Sequence, residues 1–165
     1  NDVFLSDISW VEDKGTGVTN YILKTSEEEY VNQYYPLYKT SNPDGYIIPI
    51  SGKGLWSTLK GYFAIAEDKN TTMGIVFYEH GETPGLGAEV DKPWFQNNFV
   101  GKRFIDDEGN LVGIKVMKGK ADPNSYYEVD GISGATITSK GLETFLVDDL
   151  KKYETFFEKI RNVQG

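Results

Sequence analysis
The apolar positions of this chain follow two different periods. Near the end, Leu142, Phe145, Leu146, Leu150, Tyr153, Phe157 and Ile160 recur at steps of three and four, which puts them on one face of a helix. Upstream, "GYIIPIS", "LWSTLKGYFAIA" and "TMGIVFYEH" are rich in β-branched and aromatic residues and punctuated by glycine, the mark of strands. "KNTTMG", residues 69 to 74, reads as the turn between the second and third of these. "LVGIKVMKG" alternates as a half-buried strand should, "DDEGN" before it is a turn, and "YYEVD" is a further short strand.

The remaining stretches are less regular. "DVFLSDISWVE" reads as a short amphipathic element. "SEEEYVNQYYPLYKT" reads as a helix opened by Ser26, with Glu29 completing a capping box, and closed before Pro36. "SNPDG" is a turn by its residue types. "GETPGLGAE" is too rich in Gly and Pro to be regular, and "DKPWFQNNFVGKRF" suits a short helix with Pro93 in its first turn. Strands followed by a closing helix predict an α+β fold with a largely antiparallel sheet and a long C-terminal helix.

Composition narrows the picture. With 165 residues and no linker, repeat or low-complexity tract, residues 1–165 form a single domain. A net charge of −8, spread along the chain, argues against a nucleic-acid partner, which needs a basic stripe, and disfavours an anionic lipid surface. The absence of cysteine excludes disulfides, thiolate metal sites and iron–sulfur clusters held by this chain. No apolar run approaches the roughly 18 residues that span a bilayer. Position 1 is Asn rather than Met, which leaves room for an upstream segment.

The candidate chemistry lies in "YEVDGISGATITSKG", where Ser133, Thr136, Thr138 and Ser139 crowd around Gly134 at the entrance of the last helix. Thr138 or Ser139 as a helix cap accounts for one hydroxyl but not for four. A helix N-terminus offers unpaired N–H groups and partial positive charge, and glycine lets a phosphate approach the backbone. The residues alone therefore indicate a phosphate-binding turn, without the glycine spacing of a nucleotide-hydrolysing loop or a dinucleotide fingerprint.

"DGISGAT", Asp130 to Thr136, resembles the flavinylation motif of bacterial membrane redox complexes. "GKGLWS", "FYEHGETPGLGAEVDKPW", "FVGK" and "DGISGATITS" together resemble the C subunits of Na+-translocating NADH:quinone reductases, which are related to the G subunit of the Rnf electron-transport complex. The resemblance covers most of residues 45 to 145. It implies an FMN-binding domain whose FMN is bonded through its phosphate to Thr136 by a separate, magnesium-dependent flavin transferase that uses FAD. Around that bond it implies Ser133, Gly134, Ala135 and Thr138, with Asp130 as part of the motif the transferase recognises. Near the isoalloxazine ring it implies Leu55 and Trp56 of "GLW", and Thr83, Pro84, Gly85 and Leu86 of "TPGLG". It further implies an electron-carrying subunit, without complete activity alone, of a complex that passes electrons from NADH to quinone and exports sodium. That subunit has an N-terminal membrane helix missing here, other membrane subunits as partners, and a soluble domain on the periplasmic side of the bacterial inner membrane.

Several residues keep a second reading. Trp56 and Leu86 also suit plain core packing, and Asp130 a turn that accepts local N–H bonds. Lys118 is either a cation for a reduced, anionic flavin or an exposed strand lysine. His80 with Glu79 and Glu82 is too thin a ligand set for a metal, so no metal is expected and His80 is read as ordering the "GETPG" loop. Two rival functions stand beside the first: an Rnf-type flavoprotein subunit, and a flavin-free extracytoplasmic interaction domain whose hydroxyl-rich turn is only a cap.

Overall fold
A computed structural model describes residues 8–12, 18–24 and 34–163 of the chain. Among the described residues six strands run in sequence order as an antiparallel meander: β1 Ile8–Glu12, β2 Val18–Lys24, β3 Tyr34–Thr40, β4 Gly45–Lys53, β5 Thr58–Ala66 and β6 Thr72–Glu79. A short 3₁₀ turn, Gly87–Asp91, leads into α1, Pro93–Gln96, with Pro93 at its first position, as the sequence predicts. Two-residue strands β7 Lys115–Val116 and β8 Glu128–Val129 pair in parallel. The closing helix α2, Thr136–Val163, is 28 residues long.

The period-2 pattern decides which sheet face is covered. Ile48 and Ile50 of β4, Leu59, Phe63 and Ile65 of β5, and Ile75 and Phe77 of β6 are buried. They share one core with Leu142, Phe145, Leu146, Leu150, Tyr153 and Phe157 of α2, with Ile160 partly buried beside it. Each such side chain contributes roughly 1.5–3 kcal/mol of transfer free energy, so this interface dominates the stability of the fold. Two polar contacts fix the helix lengthwise. Tyr153 donates its hydroxyl to Pro36 O at 2.7 Å, and buried Asp149 accepts the N–H of Ser51 at 2.8 Å.

Glycine permits the close approach of α2 to β4. A Cβ on Gly141 would lie 2.2 Å from Lys53 O, a backbone atom that cannot rotate away. Alanine at an ordinary helix position gains about 1 kcal/mol over glycine. Here the clash wins, and Gly141→Ala should instead cost about 1–3 kcal/mol, the range of overpacked sites. A fall in the urea midpoint with unchanged slope would show it; a rise would contradict the packing described.

The chain departs from its pattern in two places. The helix expected to close before Pro36 is not one where it can be seen: Tyr34 and Tyr35 belong to β3, and residues 25–33 lie outside the described residues. Pro36 stands opposite Ile22 of β2, and it lies outside the pairing to β4, which begins only at Tyr38. The amphipathic element near the N-terminus is in its described part a strand, β1. The strand expected over 111–119 shrinks to Lys115–Val116, because Gly113 turns with φ +74° and Val112 and Gly113 both donate to Phe104 O.

Candidate functional site
Three segments far apart in sequence meet at the start of α2. They are the turn 54–57 between β4 and β5, the loop after β6, and residues 130–139. The residue that joins them is Glu82, which is only 5% exposed. Its Oε1 accepts the N–H groups of Trp56 and Ser57, both at 3.0 Å, and the Ser57 hydroxyl at 2.9 Å. Its Oε2 accepts the N–H of Leu55 at 3.2 Å and the Thr138 hydroxyl at 2.6 Å. Burial pushes the carboxyl up, but the bonds from Thr138, Trp56 and Ser57 together outweigh it, and the pKa falls to about 2. Glu82 is therefore an anion held by neutral donors.

His80 steadies the same loop. The Glu82 N–H donates to His80 Nδ1 at 3.3 Å, so Nε2 carries the proton and gives it to Asp91 Oδ2 at 2.9 Å. Glu79 points elsewhere, to Lys60 at 2.9 Å. His80, Glu79 and Glu82 thus have separate partners, and the histidine orders the loop.

The hydroxyl-rich turn is fixed from both ends. Asp130 accepts from Lys120 Nζ at 2.6 Å and from the N–H of Ala121 at 2.9 Å, and these bonds, the lysine's first, hold its carboxyl below the usual range. Its partners lie nine and ten residues upstream, so it clamps two loops together rather than closing a local turn. Gly134 has φ +72°, so conformation favours glycine; a Cβ there would meet only the movable end of the Leu86 side chain, Cδ2, at 2.8 Å. Ala135 is buried. α2 begins at Thr136, which places Thr138 and Ser139 inside the first turn and not at the cap. The Thr138 hydroxyl is committed to Glu82, and Thr138 does not line the cavity described next.

A cavity of about 360 Å³ opens beside this turn, lined by Ser133, Gly134, Thr136, Ser139, Lys118, Lys120, Lys140, Ile132 and the strand end Val116–Met117, among others. Thr136 is exposed, and its hydroxyl makes no hydrogen bond among the described residues. Ser139 is buried, and its Oγ has no partner although the residue borders the cavity. Lys118 is exposed, lies just beyond β7 rather than in a strand, and has no ion pair among the described residues. Ser133, Gly134, Thr136 and Lys118, all expected from the sequence, therefore share one cavity.

Leu55, Trp56, Thr83, Pro84, Gly85 and Leu86 do not line this cavity, although Leu86 reaches its edge beside Gly134. Trp56 is 72% exposed, and Leu55 and Leu86 are also exposed, so Trp56 and Leu86 do not serve as core packing. Thr83, Pro84 and Gly85 are exposed in a turn where Leu86 and Ala88 both donate to Thr83 O at 3.1 Å. Sequence reasoning weighed Glu82 only as part of a thin metal set and Ser139 only among the hydroxyls of the turn, and it passed over Lys120 and Lys140. Glu82 had a signal: a carboxylate between Gly81 and the "PGLG" glycines, where a buried acid finds room and backbone donors.

A family model described as "FMN-binding domain" matches residues 54–150. The C subunit of the Na+-translocating NADH-quinone reductase of Pseudomonas aeruginosa is 46% identical over 123 residues, which cover 72% of this chain and 47% of the relative. Its counterpart in Yersinia pestis is 48% identical over 97 residues, covering 59% of this chain and 36% of the relative. The chain spans about half the length, or less, of the curated relatives it matches. Among solved structures, the C subunit from Parabacteroides distasonis aligns with TM-score 0.72 and 32% identity, covering 90% of this chain and 78% of that one. NqrC of Shewanella oneidensis aligns with TM-score 0.69 and 27% identity, covering 95% and 71%.

Proposed function
The chain belongs to the FMN-binding domain family, in the NqrC branch formed by the C subunits of Na+-translocating NADH-quinone reductases, and we propose that it is an electron-transfer flavoprotein subunit of such a complex with FMN bonded through its phosphate to Thr136. Its relatives carry the C-subunit description, which favours this complex over an Rnf-type one. The observation that carries the proposal is the pairing of an exposed, unbonded Thr136 hydroxyl with the cavity beside it.

The residues suit FMN at both of its ends. The partnerless Ser139 Oγ, the left-handed Gly134 and the uncommitted Lys118 suit an anionic group, and the uncovered Trp56, Leu55 and Leu86 suit a flat apolar one. Bound FMN supplies one- and two-electron redox chemistry. The rest belongs to the chain. Thr136 Oγ1 would be the atom joined to the FMN phosphorus, with AMP as the leaving group from FAD and the hydroxyl proton taken up by a base of the flavin transferase. Among the described residues none hydrogen-bonds to the Thr136 hydroxyl so as to activate it, which supports modification by a separate enzyme.

The resulting diester carries one negative charge instead of titrating near neutrality, so hydroxyl and backbone donors at the start of α2, with its partial positive charge, suffice to hold it. Ser133, Gly134 and Ala135 shape the turn, and Thr138 positions it through Glu82. Thr83, Pro84, Gly85 and Leu86 would flank the ring, and Lys118, on the cavity beside Thr136, would offset negative charge on bound FMN. Asp130 keeps the turn presented for the transferase.

The wider reading is of residues 1–165 as one domain of a longer subunit. That subunit is anchored by an N-terminal helix in the bacterial inner membrane, faces the periplasm and is partnered by the other membrane subunits. Among the described residues no helix is long and apolar enough to cross a membrane. Coexpression with the transferase, followed by intact-mass analysis, tests the central point. The chain should be yellow and gain the mass of one FMN less one water over protein made without the transferase. Bare chain from such cells would end the flavoprotein reading.

A further inference from the structure
Glu82 touches the turn before β5 and the first turn of α2, yet the attachment chemistry gives it no task. Three successive backbone N–H groups, of Leu55, Trp56 and Ser57, end on its carboxylate, and so does the Thr138 hydroxyl. The room for it is made by glycine: a Cβ on Gly54 would lie 2.7 Å from Oε1, and one on Gly87 2.8 Å from Oε2. Trp56 is held by these backbone bonds and not by packing, since its side chain is largely uncovered. Thr138 lies two residues beyond Thr136 in the same helical turn. One carboxylate therefore sets where the backbone that carries the exposed indole stands relative to the attachment threonine's helix turn.

We infer that Glu82 is a positioning residue, which holds the Leu55–Trp56 wall at a fixed place relative to Thr136 so that a flavin tethered there lies with its ring against Trp56. The inference rests on the flavin reading above. A phosphate tether and a ribityl chain leave a ring free to turn about several single bonds; the tether secures residence and cannot set orientation. A wall clamped to the tether's own helix turn sets it. The clamp uses an anion because five neutral donors converge on two oxygens, three on one and two on the other. A neutral amide could not accept them all.

The test uses transferase-modified protein, with equal adduct occupancy confirmed by intact mass. Flavin fluorescence and visible circular dichroism are compared for the parent, Thr138→Val, Thr138→Ser, Glu82→Gln and Trp56→Leu. Trp56→Leu sets the signal of a ring without its indole quencher. Thr138→Val removes one donor at constant shape and should raise the fraction of molecules with the wall displaced about tenfold, the factor matching one lost bond to a charged group. Its fluorescence should rise toward that of Trp56→Leu, while Thr138→Ser, which keeps the hydroxyl, stays at the parent value. Glu82→Gln should go furthest, and Thr138→Val carries the test if that variant does not fold. Parent-like spectra for Thr138→Val overturn the inference, as does an unquenched parent ring that Trp56→Leu leaves unchanged. A parent chain without any adduct overturns the attachment reading itself, a result the mass spectrum separates from the other two.

Discussion
Thr136→Ala should carry no flavin at all after coexpression with the transferase, while remaining as stable as the parent. The two halves of that result have different causes. Thr136 is exposed at the first position of α2, and its hydroxyl has no hydrogen bond among the described residues, so its removal takes away no hydrogen bond. A substitution of that kind changes stability by about 0.5 kcal/mol or less. Alanine, however, has no oxygen to bond to phosphorus. Neighbouring hydroxyls do not replace it, because Thr138 is buried against Glu82 and Ser139 is buried in the cavity wall. Thr136→Ser keeps an oxygen at the same helical position and should retain the adduct. The measurement is intact mass beside a urea curve on the same preparations. A flavin still present on Thr136→Ala, and mapped by peptide mass to Ser133, would move the attachment point three residues upstream.

The parts of this protein that sequence reveals are those governed by local spacing. The apolar face of α2, the strands β4 to β6 and Pro93 at the head of α1 follow from period, residue type and the missing proline N–H. Where long-range pairing overrides local preference, the pattern misleads. Tyr34–Thr40 follows a capping-box signal and yet pairs as a strand against β2. "LVGIKVMKG" alternates as a strand would, but Gly113 at φ +74° bends it onto Phe104, after which two residues remain to pair. In the site, the hydroxyl-rich turn was legible because its residues are contiguous. Glu82 showed only the hint of its flanking glycines, since its partners come from residues 55–57 and 138, and no local window contains both. Nor could spacing separate Thr138 from Thr136. They differ by two helical positions, which turns one hydroxyl toward a buried carboxylate and leaves the other beside an open cavity.

That buried carboxylate should also make itself felt as acid sensitivity. The ordinary pKa of Glu82 is 4.5 and the folded protein lowers it to about 2. A carboxyl with a depressed folded pKa binds protons more readily when unfolded, so its stabilisation is fully present above about pH 4.5 and is lost as pH falls through about 2. At about 1.4 kcal/mol per tenfold change in proton affinity, the amount at stake is roughly 3 kcal/mol. That is a large share of the ~5–15 kcal/mol that holds a typical domain folded. Glu82→Gln forfeits it at every pH, since the amide offers one acceptor oxygen to five donors and sets its own N–H groups against those of the 55–57 turn. At pH 7 the urea midpoint of the variant should fall by the equivalent of roughly 3 kcal/mol. As the pH is lowered, the parent should converge on the variant. Asp91 and Asp130, held low first by His80 and by Lys120 respectively, remain in both proteins. The difference between the two curves therefore isolates Glu82, whereas either curve alone does not. A gap that stays constant from pH 7 to the acid limit would mean that the carboxyl is not an ionised acceptor in the folded state, and the three segments would need another explanation for where they meet.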